Sequence, residues 1–339
     1  MPSKLAVGGV GGIKTRGMTQ NAGRGVPVST SVPCPVNLIG MTLHTPDLKG
    51  LKKVASGKVR EIYDLGEWLL MVTTDRISAF DCILPDPVPM KGRVLTGLSA
   101  FWFGRMDFVE NHLVTTDVDS FPAPAAEQVA PYREVLRGRT MLVRKAKPLA
   151  VECVVRGYLA GSGWKEYQAS GTLCAHPLPQ GLQQASPLPE VMFTPSTKAQ
   201  SGHDENISWE KCCGILGEDL AREVRDLSIR IYTHGRDHAE RHGIILADTK
   251  FEFGIFEGRV ILIDEVMTPD SSRFWPKAEY RVGMSPPSFD KQFVRDYLES
   301  LDWDKTPPAP TLPAEVIEGT TRRYLEAYEQ ITGAKLAAK

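Results

Sequence analysis

The sequence predicts an α/β protein of the α+β type, and three patterns carry that expectation. A strand–turn–strand–turn–strand meander fits residues 51–73, with Gly57 and Gly66 at its turns. A β-hairpin fits 244–265, where an apolar-bounded run to Gly254 and a second run, Val260-Ile261-Leu262-Ile263-Asp264-Glu265, flank Glu257-Gly258. Helical spacing recurs in two long stretches. Leu220, Val224, Leu227 and Ile231 mark one face over 218–242, and Val316, Ile317, Tyr324, Leu325 and Tyr328 mark another over 314–332.

The totals set bounds on function. With 339 residues, 42% of them hydrophobic, the chain is long enough for two domains with substantial cores. Its 40 basic and 41 acidic side chains leave a net charge of −1, so no global charge signature points to nucleic acid or a membrane surface. No apolar run approaches the ~20 residues needed to span a bilayer. The cysteines (Cys34, Cys82, Cys153, Cys174, Cys212 and Cys213) contain no C-x-x-C pair and fit no disulfide framework. Reduced thiols in a cytoplasmic protein are expected.

Residues 1–46 stand apart. They are rich in Gly, Ser, Thr, Val and Pro, and the first acidic residue is Asp47. Such a basic, acid-free leader has the composition of a transit peptide, yet its glycines make a poor amphipathic helix. Met41 just ahead of the first ordered-looking segment fits an over-extended start equally well. We expect 1–46 to be disordered and dispensable.

Within the meander, Ser56-Gly57 is followed at once by Lys58-Val59-Arg60. A glycine turn with adjacent cations can lie over phosphates, although most such turns are only turns. The polar loop Asp75-Arg76-Ile77-Ser78-Ala79-Phe80-Asp81 follows, and Pro85, Pro87 and Pro89 keep the next segment extended. Val94, Leu98, Phe101, Trp102, Met106 and Val109 predict a helix over 94–113 whose apolar stripe faces the core. After a proline-marked surface excursion, 139–147 and 150–159 read as strands. The second runs into Arg156-Gly157-Tyr158-Leu159-Ala160-Gly161-Ser162-Gly163 and a helix near Trp164. Gly and Ser at a helix start, with an arginine upstream, can make a phosphate pocket, or simply a glycine turn. Residues 172–195, with five prolines, read as loop. His234, His238 and His242 recur at four-residue spacing on the helix over 218–242. The pattern lacks the intervening Glu of a zinc protease and is flanked by Arg236 and Arg241, so we read a solvated helix face. A helix is expected over 288–301, then a proline-rich linker over 306–313.

The hairpin carries the chemistry. Alternation puts Asp248, Lys250 and Glu252 on one strand face and Thr249, Phe251 and Phe253 on the other. Three charges beside apolar runs need compensation. A divalent cation with a phosphorylated ligand would supply it, and so would a salt-bridged ladder on an exposed face. Beyond the second strand, Met267-Thr268-Pro269-Asp270-Ser271-Ser272-Arg273-Phe274-Trp275 offers a carboxylate, hydroxyls and an arginine from a loop. The hairpin therefore reads as the floor of an active site.

Several segments together resemble one family, the SAICAR synthetases, over about residue 48 to the C-terminus. The resemblance rests on Pro148-Leu149-Ala150-Val151-Glu152-Cys153-Val154-Val155-Arg156-Gly157-Tyr158-Leu159-Ala160-Gly161-Ser162 and on Leu246-Ala247-Asp248-Thr249-Lys250-Phe251-Glu252-Phe253-Gly254. Gly57-Lys58-Val59-Arg60, Ser78-Ala79-Phe80-Asp81, Asp204-Glu205-Asn206-Ile207-Ser208 and the stretch from Asp264-Glu265 to Trp275 are similar too. Ala150 and Gln200 depart from the family's usual residues. The resemblance implies an antiparallel N-terminal sheet lobe over an α/β C-terminal body, with ATP in the cleft. It divides the chain into the leader 1–46, a nucleotide-covering lobe 47–147 and a substrate- and metal-binding domain 148–339.

It also implies an ATP-dependent ligase that joins L-aspartate to the carboxylate of an aminoimidazole ribonucleotide. ATP and Mg²⁺ are the implied cofactors, and small molecules the partners, with no nucleic acid or membrane. The protein would be a cytoplasmic monomer or small homo-oligomer. Lys58, Arg60 and Lys250 would serve the ATP phosphates, and Glu252 and Asp264 would hold Mg²⁺. Lys250 and Asp248 are the implied catalytic residues. Arg156, Ser162 and Arg273 resemble the grip on the ribonucleotide's 5′-phosphate. Asp248, Asp270 and Lys291 would contact the rest of that substrate, and Asp204 and Ser78 the aspartate end.

Two other readings compete with this one. Asp248-x-Lys250 with Ile263-Asp264 also resembles the D-x-K and I-D pattern of inositol-phosphate kinases, against which Arg156 to Ser162 and the Asp204 segment argue. A nucleotide-binding regulator without catalysis would be expected to lack Lys58, Glu252 or Asp264, and all three are present. One geometric expectation follows. A two-residue loop at Glu257-Gly258 would pair Glu252 with Ile263 and turn Asp264 to the wrong face. A shared metal therefore demands an odd loop or a bulge.

Overall fold

The computed structural model describes residues 42–198 and 205–337. The leader up to residue 41, and Asp204, lie outside the described residues. The principal elements of the first half are β1 (Lys52–Ser56), β2 (Arg60–Asp64), β3 (Trp68–Thr73), α1 (Lys91–Phe103), β4 (Leu113–Thr115), β5 (Thr140–Arg144) and β6 (Val151–Tyr158). Then come α2 (Gly161–Ser170), β7 (Pro187–Phe193), α3 (Trp209–Leu216), α4 (Glu218–Arg241), β8 (Ile244–Phe256), β9 (Arg259–Ile263) and β10 (Ser272–Pro276). The C-terminal part holds α5 (Gln292–Glu299) and α6 (Ala314–Thr332).

Two sheets organise the molecule. The first has the order β1-β2-β3-β5-β4 with every neighbour antiparallel, so the expected meander forms its leading half. The second has the order β7-β6-β8-β9, with β10 also paired to β8. Its pairs are antiparallel as well, which makes the architecture α+β.

The thirteen-residue β8 is the hub of the second sheet. Phe251 and Phe253 are fully buried from one of its faces, in a core shared with Tyr232, Ile231 and Val224 of α4 and Val151, Cys153 and Val155 of β6. Burying each such ring contributes about 1.5–3 kcal/mol, which fixes the strand's orientation. The opposite face, carrying Asp248, Lys250 and Glu252, is thereby turned away from the helices. The same core includes Met71 of β3, Leu98 and Trp102 of α1, and Tyr324, Ala327 and Ile331 of α6.

Four expectations need correction. The segment 267–275, read as a loop, ends in β10, which carries Arg273 beside β8. The helix expected over 94–113 ends at Phe103, where the Gly104 N–H bonds the carbonyls of Ala100 and Trp102. Met106 and Val109 stay buried in the turn that follows, so the apolar pattern outlasts the helix. The segment 172–195, read as loop, contains β7. That strand lies at the sheet edge and pairs only with β6, where Pro187 and Pro189 cost no ladder hydrogen bond. His234 and His242 are exposed, but His238 is not on a solvated face. It is 7% exposed and wedged against Phe101, Trp102 and His242. Its Nε2 bonds the Ile331 carbonyl oxygen at 2.7 Å, tying α4 to α6.

Candidate active site

Above the polar face of β8 opens a cavity of about 680 Å³. Lys58, Arg60, Ser78, Asp248, Lys250, Glu252, Asp264, Asp270, Arg273 and Lys291 all line it. A hollow of about 210 Å³ shares Asp248, Lys250, Asp270 and Arg273 with it and adds Arg156 and Ser162. Every residue expected in the site, Asp204 apart, therefore belongs to one region of the surface.

At one end of this region, Asp248 is bracketed by two arginines. The register sets Asp248 of β8 opposite Arg156 of β6 on one side and Arg273 of β10 on the other. Arg156 Nη1 donates to Asp248 Oδ2 at 2.8 Å, and Arg273 Nη1 donates to the same oxygen. Arg156 also donates through Nη2 to Ser162 Oγ at 2.9 Å and through Nε to Thr194 Oγ1 at 3.1 Å. Burial pulls the Arg156 guanidinium below its ordinary value, while Asp248 raises that of Arg273. Both stay charged. Two guanidinium groups on one carboxylate leave surplus positive charge. Gly161 adjoins it with φ 56, and a Cβ there would come 2.1 Å from Arg273 Nη2. Glycine thus lets the chain pass close beside the guanidinium.

The other end is carboxylate-rich. Arg60, the first residue of β2, donates through Nη2 to Asp264 Oδ2 at 2.9 Å and to Glu265 Oε1 at 3.1 Å. Burial works against its charge, yet Asp264 and Glu265 outweigh burial and raise it. Glu252 is paired with Lys198 Nζ at 2.6 Å. Burial pushes the Asp264 carboxyl up, and the Glu252 carboxylate adds to the rise against the pull of Arg60. Two repelling carboxylates on one wall are a donor set that a hard cation relieves.

The expected odd loop or bulge is absent from this hairpin. Glu252 pairs with Ile263, and Glu257 and Gly258 form a two-residue turn at φ 50 and φ 77. Asp264 reaches the cavity by another route. It lies just past β9 with φ 64, a left-handed residue that leaves the strand's alternation. His112 is buried, and burial pushes its imidazole down to about 3 against the opposing pull of the Asp264 backbone.

Lys250, between the two ends, donates to Glu152 Oε1 at 2.7 Å. At the mouth Lys58 pairs with Asp81, and Ser78 is buried in the lining. Asp270 and Lys291 stand 3.3 Å apart. Glu152, Glu265, Lys198 and Asp81 were missed as site residues. Glu152 shares a strand face with Arg156 by simple alternation, and Glu265 is adjacent to Asp264, so both carried a usable signal. Lys198 carried none.

The chain is similar to several known proteins. The sequence profile described as SAICAR synthetase matches residues 53–310. The phosphoribosylaminoimidazole-succinocarboxamide synthase of Pelobacter propionicus is 60% identical over 296 residues, which is 87% of this chain and 98% of that protein. The synthase of the same name from Geotalea uraniireducens is 59% identical, over 85% of this chain and 97% of its own length. Among solved structures, the SAICAR-synthase from Saccharomyces cerevisiae complexed with SAICAR superposes with a TM-score of 0.78 at 44% identity, covering 87% of this chain and 99% of that one. A SAICAR synthetase in complex with ADP superposes at 0.60 with 25% identity, covering 84% and 99%.

Proposed function

The chain belongs to the SAICAR synthetase family, and from that premise we propose how its cavity performs the ligation. The protein is an ATP-dependent ligase of purine biosynthesis. It condenses L-aspartate with the carboxylate of 5-aminoimidazole-4-carboxylate ribonucleotide to give SAICAR, ADP and phosphate. The observation that carries the site assignment is the opposed charge of the two cavity ends. Surplus positive charge at Asp248–Arg156–Arg273 suits an anion, and the carboxylates at Glu252, Asp264 and Glu265 suit a cation.

The Arg156 and Arg273 end, with Ser162, grips the ribonucleotide's 5′-phosphate through charge-assisted hydrogen bonds. Asp248 holds both guanidinium groups in place for that task. Lys58, Arg60 and Lys250 neutralise the ATP phosphates. Glu252 and Asp264 would hold Mg²⁺, whose bound form shields the charge on the phosphates. Asp270 and Lys291 serve the rest of the ribonucleotide, and Ser78 and Asp204 the aspartate.

A carboxylate is a poor electrophile, so it is first activated. Its oxygen attacks the γ-phosphorus, the bond to the bridging oxygen of ADP breaks, and an acyl phosphate forms. The aspartate amine then attacks the acyl carbon, phosphate leaves, and the amine's proton passes to solvent. Such phosphoryl transfer depends on positioning and charge neutralisation, which is what Lys250 and Arg60 contribute. Among the described residues no helix is long and apolar enough to cross a membrane. The five described cysteines are free, which supports a reducing compartment such as the cytoplasm.

The test is ADP release measured with aspartate and the ribonucleotide omitted in turn. Release should require both. Release with an inositol phosphate and no amine would move the chain to the inositol-phosphate kinase reading.

A further inference from the structure

The Asp270 side chain is a buried carboxylate of the cavity wall, and its anchors come from far along the chain. Lys91 Nζ, at the start of α1, donates to Asp270 Oδ2 at 2.8 Å. The Tyr324 hydroxyl, on α6, donates to Oδ1 at 2.7 Å. Lys291 Nζ stands 3.3 Å from Oδ2. The Lys91 side chain is 0% exposed, that of Asp270 4% and that of Lys291 15%. Burial raises the Asp270 carboxyl, but Lys291 and Lys91 outweigh it and hold it well below the usual carboxylate range.

The group is thus one carboxylate between two ammonium ions, with positive charge in surplus. Lys91 has no surface through which to meet a ligand, and Asp270 has both oxygens engaged. Lys291 alone of the two ammonium groups lines the cavity. Of the two ammonium ions, only Lys291 can meet an anionic ligand.

We infer that Tyr324 is a positioning residue that, together with buried Lys91, fixes Asp270, so that Asp270 holds the Lys291 ammonium in place for an anionic group of a substrate. The family profile stops at residue 310, so this contribution comes from a helix beyond it. The inference rests on the ligase reading above. The anion is a carboxylate of aspartate or a charged group of the ribonucleotide, Lys58 and Arg60 being the cations assigned above to the ATP phosphates.

The experiment compares Tyr324→Phe, Lys291→Ala and the double variant in steady-state kinetics, varying each of the three substrates, with melting temperature as a control. Tyr324→Phe should raise KM for aspartate or for the ribonucleotide about fivefold to thirtyfold. That is a part of the roughly tenfold to 150-fold that one hydrogen bond to a charged acceptor is worth, because the bond is to Asp270 and not to the ligand. KM for ATP should stay within about twofold. Lys291→Ala should raise KM for the same substrate more, and adding Tyr324→Phe to it should change little, because the two act in series. The affected substrate identifies the anion. Tyr328→Phe, on the same helix but packed on Gly97, should leave all three constants unchanged.

Additive effects, or a rise confined to ATP, would overturn the inference. Should Tyr324→Phe fail to fold, Asp270→Asn replaces it in the same cycle, with the same expectation and the same overturning result. Wild-type protein without aspartate-dependent ADP release would instead defeat the ligase reading. That failure is seen before any variant is compared.

Discussion

The two ends of the cavity are built on the same strand and oppose each other in charge. Around Asp248, two arginines share one carboxylate oxygen, and all three groups are pinned by the ladder of β6, β8 and β10. Around Asp264, three carboxylates share Arg60 and Lys198, and one reaches the site only through a left-handed backbone. The first end is preorganised, since each partner is fixed by strand register and needs no ligand to settle it. The second is unresolved without one, because the Glu252 carboxylate adds to the cost of ionising the buried Asp264. A site that must hold one anion steadily and bind a cation with a departing phosphate needs that asymmetry.

The largest effect should separate turnover from binding. Lys250→Ala is expected to lower kcat by about 10³-fold or more, since its charge is needed as the phosphoryl group moves. Ribonucleotide affinity should hardly change. Single-turnover ADP formation and equilibrium titration check the two halves. A variant that lost ribonucleotide binding and kept its turnover would erase the distinction between the ends.

Arg273→Ala tests the other end. Leaving Asp248 with one buried guanidinium should weaken ribonucleotide binding about thirtyfold to a thousandfold while ATP affinity stays nearly intact. Titrating both ligands by calorimetry decides it. If ATP affinity falls and the ribonucleotide's does not, the ends have been assigned in reverse. Gly161→Ala is a milder version, because it leaves the charge and crowds the guanidinium. With φ 56 and a contact at 2.1 Å, it should weaken ribonucleotide binding about threefold to tenfold.

How much of this the sequence revealed differs between the ends in the same way. The Asp248 end was legible in part, because it depends on alternation. Asp248, Lys250 and Glu252 share a face whatever the tertiary context. But Arg273, read on a loop, lies in β10, and only the family resemblance joined it and Arg156 to this end. The Asp264 end was not, since alternation alone places Asp264 on the wrong face and no local signal announces the left-handed residue. Lys91 and Tyr324 were hidden for a third reason. They meet Asp270 across 179 and 54 residues, and nothing in their neighbourhoods marks a lysine as buried or a tyrosine as more than core. The core itself was easy, as α6 shows by spanning the residues its apolar spacing predicted. The fold's apolar periodicity is local information, whereas a charged site is assembled from distant pieces.

The smallest effect concerns the helices behind both ends, and it should leave their contrast untouched. His238 joins α4 to α6 in neutral form. Burial lowers its affinity for a proton, and His242, Arg105 and Arg241 lower it further, against the opposing hydrogen bond to Ile331. Its folded value therefore lies below the ordinary ~6.5 of an unfolded chain. The unfolded state binds the proton more readily, so stability from this group is fully present above about pH 6.5 and is lost as pH falls through the folded value. His238→Gln should cost about 1–2 kcal/mol at pH 7.5, through poorer packing and a weakened bond to Ile331. It should also flatten the decline between about pH 6.5 and 5, before most carboxylates titrate. Urea midpoints of both proteins at pH 7.5 and 5.5 give the slope. Over the same range the ratio of ribonucleotide to ATP affinity should not move with the substitution, because His238 touches neither end. A slope equal in the two proteins would place the acid sensitivity elsewhere, and a shifted ratio would mean that the helix junction feeds into one end and not the other.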